Sequence, residues 1–122
     1  MTEPISIGLV LDCADPEKLA AFWEPALGFA NVGAAGSYVL LMDPAGKLPK
    51  LLLQRVPEPK AGKNRMHFDI DTRDVEGEVA RLVDLGATRI EDTRSEFGTT
   101  WIVMADPEGN EFCVCDGGQP EK

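Results

Sequence analysis

The chain has 122 residues, of which 43% are hydrophobic, and 21 acidic against 12 basic side chains give a formal net charge of −9. That size suits one compact domain: roughly two thirds of the extended chain's surface would leave water on folding, so a core needs neither disulfide staples nor a structural metal. The acidic balance argues against nucleic acid and anionic membranes as partners, and no apolar run approaches the ~20 residues that cross a bilayer.

The opening Met1-Thr2-Glu3-Pro4 has no basic region followed by an apolar stretch, so no secretory signal is expected. Three cysteines without CxxC spacing fit a reducing compartment, and the expected location is the cytoplasm. From Ile5 to Leu11, Ile5, Ile7, Leu9 and Leu11 alternate with other residues and predict a half-buried strand. Asp15 then reads as a helix N-cap with Pro16 in the first turn and Glu17 complementing the positive end. The helix should run to about Ala26 with Leu19, Phe22, Trp23 and Leu27 as its apolar stripe, Pro25 ending or bending its last turn, and Gly28 as the left-handed cap. Two short strands follow, the second at Tyr38 to Met42. Asp43-Pro44-Ala45-Gly46 is a type I turn signal, and Leu51 to Val56 forms a last strand.

Pro57 to Lys63 has the proline, glycine and charge content of a linker, and beyond it the pattern begins again. His67-Phe68-Asp69-Ile70-Asp71-Thr72-Arg73-Asp74 repeats Gly8-Leu9-Val10-Leu11-Asp12-Cys13-Ala14-Asp15 at an offset of 59 positions. Asp74 caps a second helix in which Val75, Val79, Leu82 and Val83 face the core and Gly86 closes the end. Trp101 to Gly109 repeats Tyr38 to Gly46, now at an offset of 63, so a few extra residues belong in loops around Thr93 to Gly98. Glu111 to Cys115 is the final strand, and Asp116 to Lys122 reads as a frayed tail. The expected fold class is α+β: a single domain over 1–122 made of two tandem βαβββ modules, about 5–56 and 64–115, joined by a linker over 57–63. Their mixed sheets curl around a concave cavity.

A paired βαβββ unit carrying Ala105-Asp106-Pro107-Glu108-Gly109-Asn110-Glu111-Phe112 before its last strand resembles the vicinal oxygen chelate superfamily, which contains glyoxalase I and the bleomycin-resistance proteins. Asp12-Cys13-Ala14-Asp15-Pro16 and Leu53-Gln54-Arg55-Val56-Pro57-Glu58-Pro59-Lys60 are similar to its glyoxalase-like subgroup, whose members mostly lack an assigned reaction. The superfamily spans isomerases, dioxygenases, thiol transferases and binding proteins, so the fold alone does not fix the chemistry.

The resemblance implies metal ligands on the first and last strands of each module, with side chains pointing into the cup. In the second module these positions hold His67 and Glu111, types that suit one divalent ion such as Zn, Ni, Mn or Fe. Strand parity agrees, since Met66, Phe68 and Ile70 form a helix-facing row and Phe112 and Val114 another, leaving His67, Asp69 and Glu111 to face inward. The first module departs from the pattern: Gly8 stands opposite His67 and Lys50 opposite Glu111, and neither is a ligand. Two readings stay open. In one, His67 and Glu111 hold a metal that chelates vicinal oxygens of a small substrate while Glu111 moves a proton. In the other, His67 and Glu111 form a metal-free dyad, with Lys50 joining Glu111, and the cup binds or sequesters a small molecule in the manner of bleomycin-resistance proteins. Tyr38, Gln54, Trp101 and Cys113 are candidate ligand-binding positions in either case. Trp23 reads as core. The resemblance also implies a homodimer.

Overall fold

The structure, a computed structural model, describes residues 7–64 and 66–116. The start of the first expected strand, at Ile5, and most of the expected tail lie outside these residues. The chain divides between Pro59 and Lys60 into two compact units, a boundary inside the expected linker.

The first unit contains β1 (Leu9–Cys13), α1 (Pro16–Leu27), β2 (Ala30–Ala35), β3 (Tyr38–Met42) and β4 (Leu51–Arg55). The sheet order is β1-β4-β3-β2, with β1 and β4 parallel and the other pairs antiparallel. Asp15 caps α1 by accepting the Lys18 N–H at 3.2 Å, Pro16 occupies the first turn, and Gly28 takes φ 71° at the C-cap. Pro25 does not stop the helix, which runs on to Leu27. The buried stripe is Leu19, Ala20, Phe22, Trp23 and Ala26, with Leu27 only half-buried. The Phe22 and Trp23 rings meet edge-on at 4.9 Å, so Trp23 is a core residue. Ile7, expected within β1, precedes the strand and is exposed.

The second unit contains β5 (Phe68–Asp71), α2 (Val75–Leu85), β6 (Thr88–Arg89), β7 (Arg94–Glu96), β8 (Thr99–Ala105) and β9 (Glu111–Cys115). Its sheet runs β5-β9-β8-β6, with β7 also on β8 and β5 parallel to β9. Asp74 caps α2 through the Gly77 N–H at 3.0 Å. Val79 and Leu82 are buried, but Val83 is exposed, because a core stripe this narrow takes only one side of the helix.

The registers of the two units match. Leu9 pairs with Leu51 as Phe68 pairs with Phe112, and Tyr38 pairs with Gln54 as Trp101 pairs with Cys115. Gly8 and His67 therefore precede equivalent pairs, as do Lys50 and Glu111. The fully buried rows are also equivalent: Val39, Leu41, Leu51 and Leu53 in one unit, Ile102, Met104, Phe112 and Val114 in the other.

The extra residues of the second unit sit elsewhere in kind than expected. In the first unit Ala35 and Tyr38 close a hairpin around Gly36 and Ser37, whereas Arg94 pairs with Trp101 and the hairpin continues through Ser95↔Thr100 and Glu96↔Thr99. The insertion is thus a longer strand pair turning at Phe97 and Gly98, both with positive φ, not a loop.

Candidate functional site

Strand parity places the site. Phe112 and Val114 are buried under α2's side of the sheet, so Glu111, Cys113 and Cys115 turn the other way, together with Asp69 on the neighbouring β5 and Trp101 and Val103 on β8. These side chains and His67 line one cavity of about 450 Å³ within the second unit. Its rim carries Lys63 and the ion pair of Arg94 with Glu91 at 3.1 Å, a contribution of the extended hairpin. Met66, expected on the buried row, is 80% exposed because β5 starts only at Phe68 and leaves it on the connecting turn.

Glu111 is engaged on both oxygens. Oε1 accepts the Asn64 N–H at 2.9 Å, and Oε2 lies 3.1 Å from the Lys60 ammonium, which also donates to the Gly62 carbonyl. The side chains of Lys60 and Glu111 are only 24% and 18% exposed. Burial pushes the Glu111 carboxyl up, but the Asn64 N–H and the Lys60 ammonium outweigh it and hold the group below its ordinary 4.5. The cation at Glu111 is therefore supplied by Lys60, within the expected linker. Composition does not reveal this contact: it marks Lys60 only as part of an exposed linker and gives Asn64 no role.

His67 instead approaches Asp69, with Nε2 3.3 Å from Oδ1. The donor atoms of His67, Asp69 and Cys113 all lie within 4.8 Å of one another. The two cup thiols are not poised as nucleophiles. Burial, then the Asp69 charge, pushes Cys113 up despite Lys63, and the same two influences push Cys115 up to about 12. Cys13, Cys113 and Cys115 are all free and buried.

Of the other candidates, Trp101 and Cys113 line the cavity. Tyr38 is exposed and Gln54 half-buried on the first unit's sheet, where they are register partners. The equivalents there of His67, Asp69, Glu111 and Cys113 are Gly8, Val10, Lys50 and Leu52. Lys50 packs along Gly8 so closely that a Cβ on Gly8 would stand 3.0 Å from its Cε.

The donor set that the fold family implies does not fit a metal here. An ammonium 3.1 Å from Oε2 opposes a second cation on Glu111, and neither Gly8 nor Lys50 can add a ligand.

Two βαβββ units of one register, with a cavity on the face away from the helix, define a protein of the vicinal oxygen chelate type. The comparisons with known proteins agree: a glyoxalase-like domain matches residues 8–115, and the chain belongs to that family. Solved structures share the fold. A glyoxalase/bleomycin resistance protein/dioxygenase family enzyme from Burkholderia phytofirmans is 20% identical with a TM-score of 0.71, covering 88% of this chain and 94% of the other. A member of the same superfamily from Sphaerobacter thermophilus is also 20% identical, with a TM-score of 0.67 and coverages of 91% and 97%. A glyoxalase family protein from Bacillus cereus is 14% identical, with a TM-score of 0.70 and coverages of 93% and 95%. No protein of curated function matches the chain. Among the described residues no helix is long and apolar enough to cross a membrane.

Proposed function

We propose that this glyoxalase-like chain binds a small amphipathic molecule in the cup of its second unit, without a metal centre on His67 and Glu111. The observation that carries the reading is the engagement of both Glu111 oxygens beside a cavity of about 450 Å³, a size that suits a small organic ligand. Trp101, Val103, Cys113 and Cys115 give an apolar wall for a planar or apolar body. At the other end Glu111 is matched by Lys60, Arg94 by Glu91 and His67 by Asp69, and the exposed His67–Asp69 pair together with Lys63 faces the cavity to orient polar groups. Glu111 enters as the anchor of the linker, and a proton-transfer role for it requires release from Lys60 and Asn64.

The test is a thermal-shift screen of aromatic fragments that carry one polar substituent. A fragment present at 100 times its dissociation constant stabilises by about 2.7 kcal/mol, well within detection. Hits should lose most of their effect in Trp101→Ala, and hits that stabilise this variant as well as the native chain would sink the reading.

The three free, buried thiols support a reducing compartment, the cytoplasm. Exposed Val10, Tyr38 and Met42 on the first unit's sheet support a homodimer, which a monomer mass by light scattering at micromolar protein would overturn.

A further inference from the structure

We propose that the cup is a binding site for a borderline-soft divalent metal of the Zn²⁺ class, held by His67, Asp69 and Cys113 rather than by Glu111. One fact of register and one contact build the triad. Asp69 and Cys113 are direct partners across the parallel β5–β9 pair, and His67, just before β5, brings its Nε2 to 3.3 Å from Asp69 Oδ1. Imidazole, carboxylate and thiolate in one cluster match the ligand types of zinc sites, and a thiolate disfavours Mg²⁺ and Ca²⁺.

The spacing also fits. Zn–N and Zn–O bonds near 2.1 Å and Zn–S near 2.3 Å put tetrahedral donors about 3.3 to 3.7 Å apart. The His67 Nε2 to Asp69 Oδ1 separation is 3.3 Å, and all three donors already lie within 4.8 Å of one another. The remaining closure falls to side chains that can move, since His67 and Asp69 are 39% and 55% exposed while Cys113 is fixed in the buried strand. On coordination the thiol proton leaves to solvent. Three protein ligands leave a fourth position that opens on the cavity, where water or an oxygen of a bound molecule completes the shell. The inference uses the same cup as the ligand reading but does not depend on it.

The test uses the full chain, freed of metal by chelator and titrated with Co²⁺ as a spectroscopic stand-in for Zn²⁺. One equivalent should bind with a thiolate-to-cobalt charge-transfer band in the near ultraviolet and tetrahedral bands in the visible. Zn²⁺ should displace it. Cys113→Ser should abolish the charge-transfer band, and Asp69→Asn and His67→Ala should each weaken Zn²⁺ binding by more than about tenfold, the least that even an outer partner of a metal ligand is worth. Circular dichroism checks that Cys113→Ser still folds, and the exposed Asp69→Asn keeps the test decisive if it does not. Absence of stoichiometric binding would overturn the proposal. So would a cobalt spectrum that survives Cys113→Ser but is lost in Glu111→Gln. Fragment binding to the metal-free protein reports on the ligand reading separately, so either can fail alone.

Discussion

If Glu111 is an anchor and not a free ligand, breaking its contacts should cost stability in a way that depends on Lys60. In Glu111→Gln the Asn64 N–H keeps an acceptor but loses the charge on it. A hydrogen bond to an ionised group contributes about 1.5–3 kcal/mol and a neutral one about 0.5–1.5, a loss of about 1 kcal/mol. The ion pair goes as well. With the two side chains only 24% and 18% exposed, its worth sits at the top of the surface range, about 1 kcal/mol. Glu111→Gln should therefore lose about 2 kcal/mol and Lys60→Met about 1, or roughly 6–10 °C and 3–5 °C of melting temperature for a chain of this length. Calorimetry of both single variants and the double variant at neutral pH isolates the pairwise energy, expected near 1 kcal/mol. The sign with pH follows from the lowered Glu111 carboxyl. Its stabilisation is present above the ordinary 4.5 and disappears as pH falls through the lower folded value, so the gap between native protein and Glu111→Gln should close in acid. A coupling indistinguishable from zero, or a gap that widens on acidification, would refute the reasoning.

The two Asp-Pro-x-Gly turns should differ in sensitivity. Asp106 is 2% exposed, and its carboxylate accepts from the N–H groups of Glu108 and Asn110 and from the Asn110 side-chain amide, so Asp106→Ala strands buried donors and should cost about 2–4 kcal/mol by urea denaturation. Asp43 accepts from the Ala45, Lys47 and Leu48 N–H groups at the surface, where water can replace it, so Asp43→Ala should cost clearly less, and equal losses would contradict this. None of the three thiols should react with Ellman's reagent in the native, metal-free protein at mildly alkaline pH, all three reacting on denaturation. Rapid stoichiometric labelling of Cys115, whose thiol is pushed up to about 12, would contradict the burial argument. Phe112→Ala should cost about 3–5 kcal/mol, measured the same way, because a fully buried ring is deleted beneath α2.

The parts of the fold that follow a local rule were legible in the sequence. Asp15 and Asp74 are caps because a short acceptor can reach a free N–H two or three residues on, and the repeated segments flanking the Asp-Pro-x-Gly turns place β3 and β9 to the residue. The internal repeat aligns Leu9 with Phe68 and Leu51 with Phe112, and the structure pairs Leu9 with Leu51 just as it pairs Phe68 with Phe112. Met66 falls off the buried row because β5 starts only at Phe68, and Val83, inside α2, is exposed because the helix buries only one narrow side. Where an element starts and how wide a stripe it buries are set by packing and not by period. The offset of the repeat shows the extra residues of the second unit but not their strand form, because Ser95, Glu96 and Thr100 carry no apolar alternation to mark a strand. The role of Lys60, within the expected linker, and of Asn64, just past it, is invisible to composition because their partner lies 51 and 47 residues away.

The register shared by the two units shows how one scaffold can carry a site in only one half. Side chains of one parity, Leu51 and Leu53 or Phe112 and Val114, are buried in both units and are therefore constrained to be apolar and well packed. Side chains of the other parity do not pack under the helix and differ in chemistry between the units: Gly8 against His67, Val10 against Asp69, Leu52 against the buried Cys113, Gln54 against the buried Cys115. The register pair Val10↔Leu52 offers no donor at all, whereas Asp69↔Cys113 places a carboxylate beside a thiol at the same point of the sheet. Because the two sets alternate along the same strands, the polar set can change without disturbing the packed one, provided the strand does not slip by a residue. A slip would bury Asp69 against α2 with no partner, at a cost of several kcal/mol, so the packing of Phe112 and Val114 is what holds the donors of the cup in place.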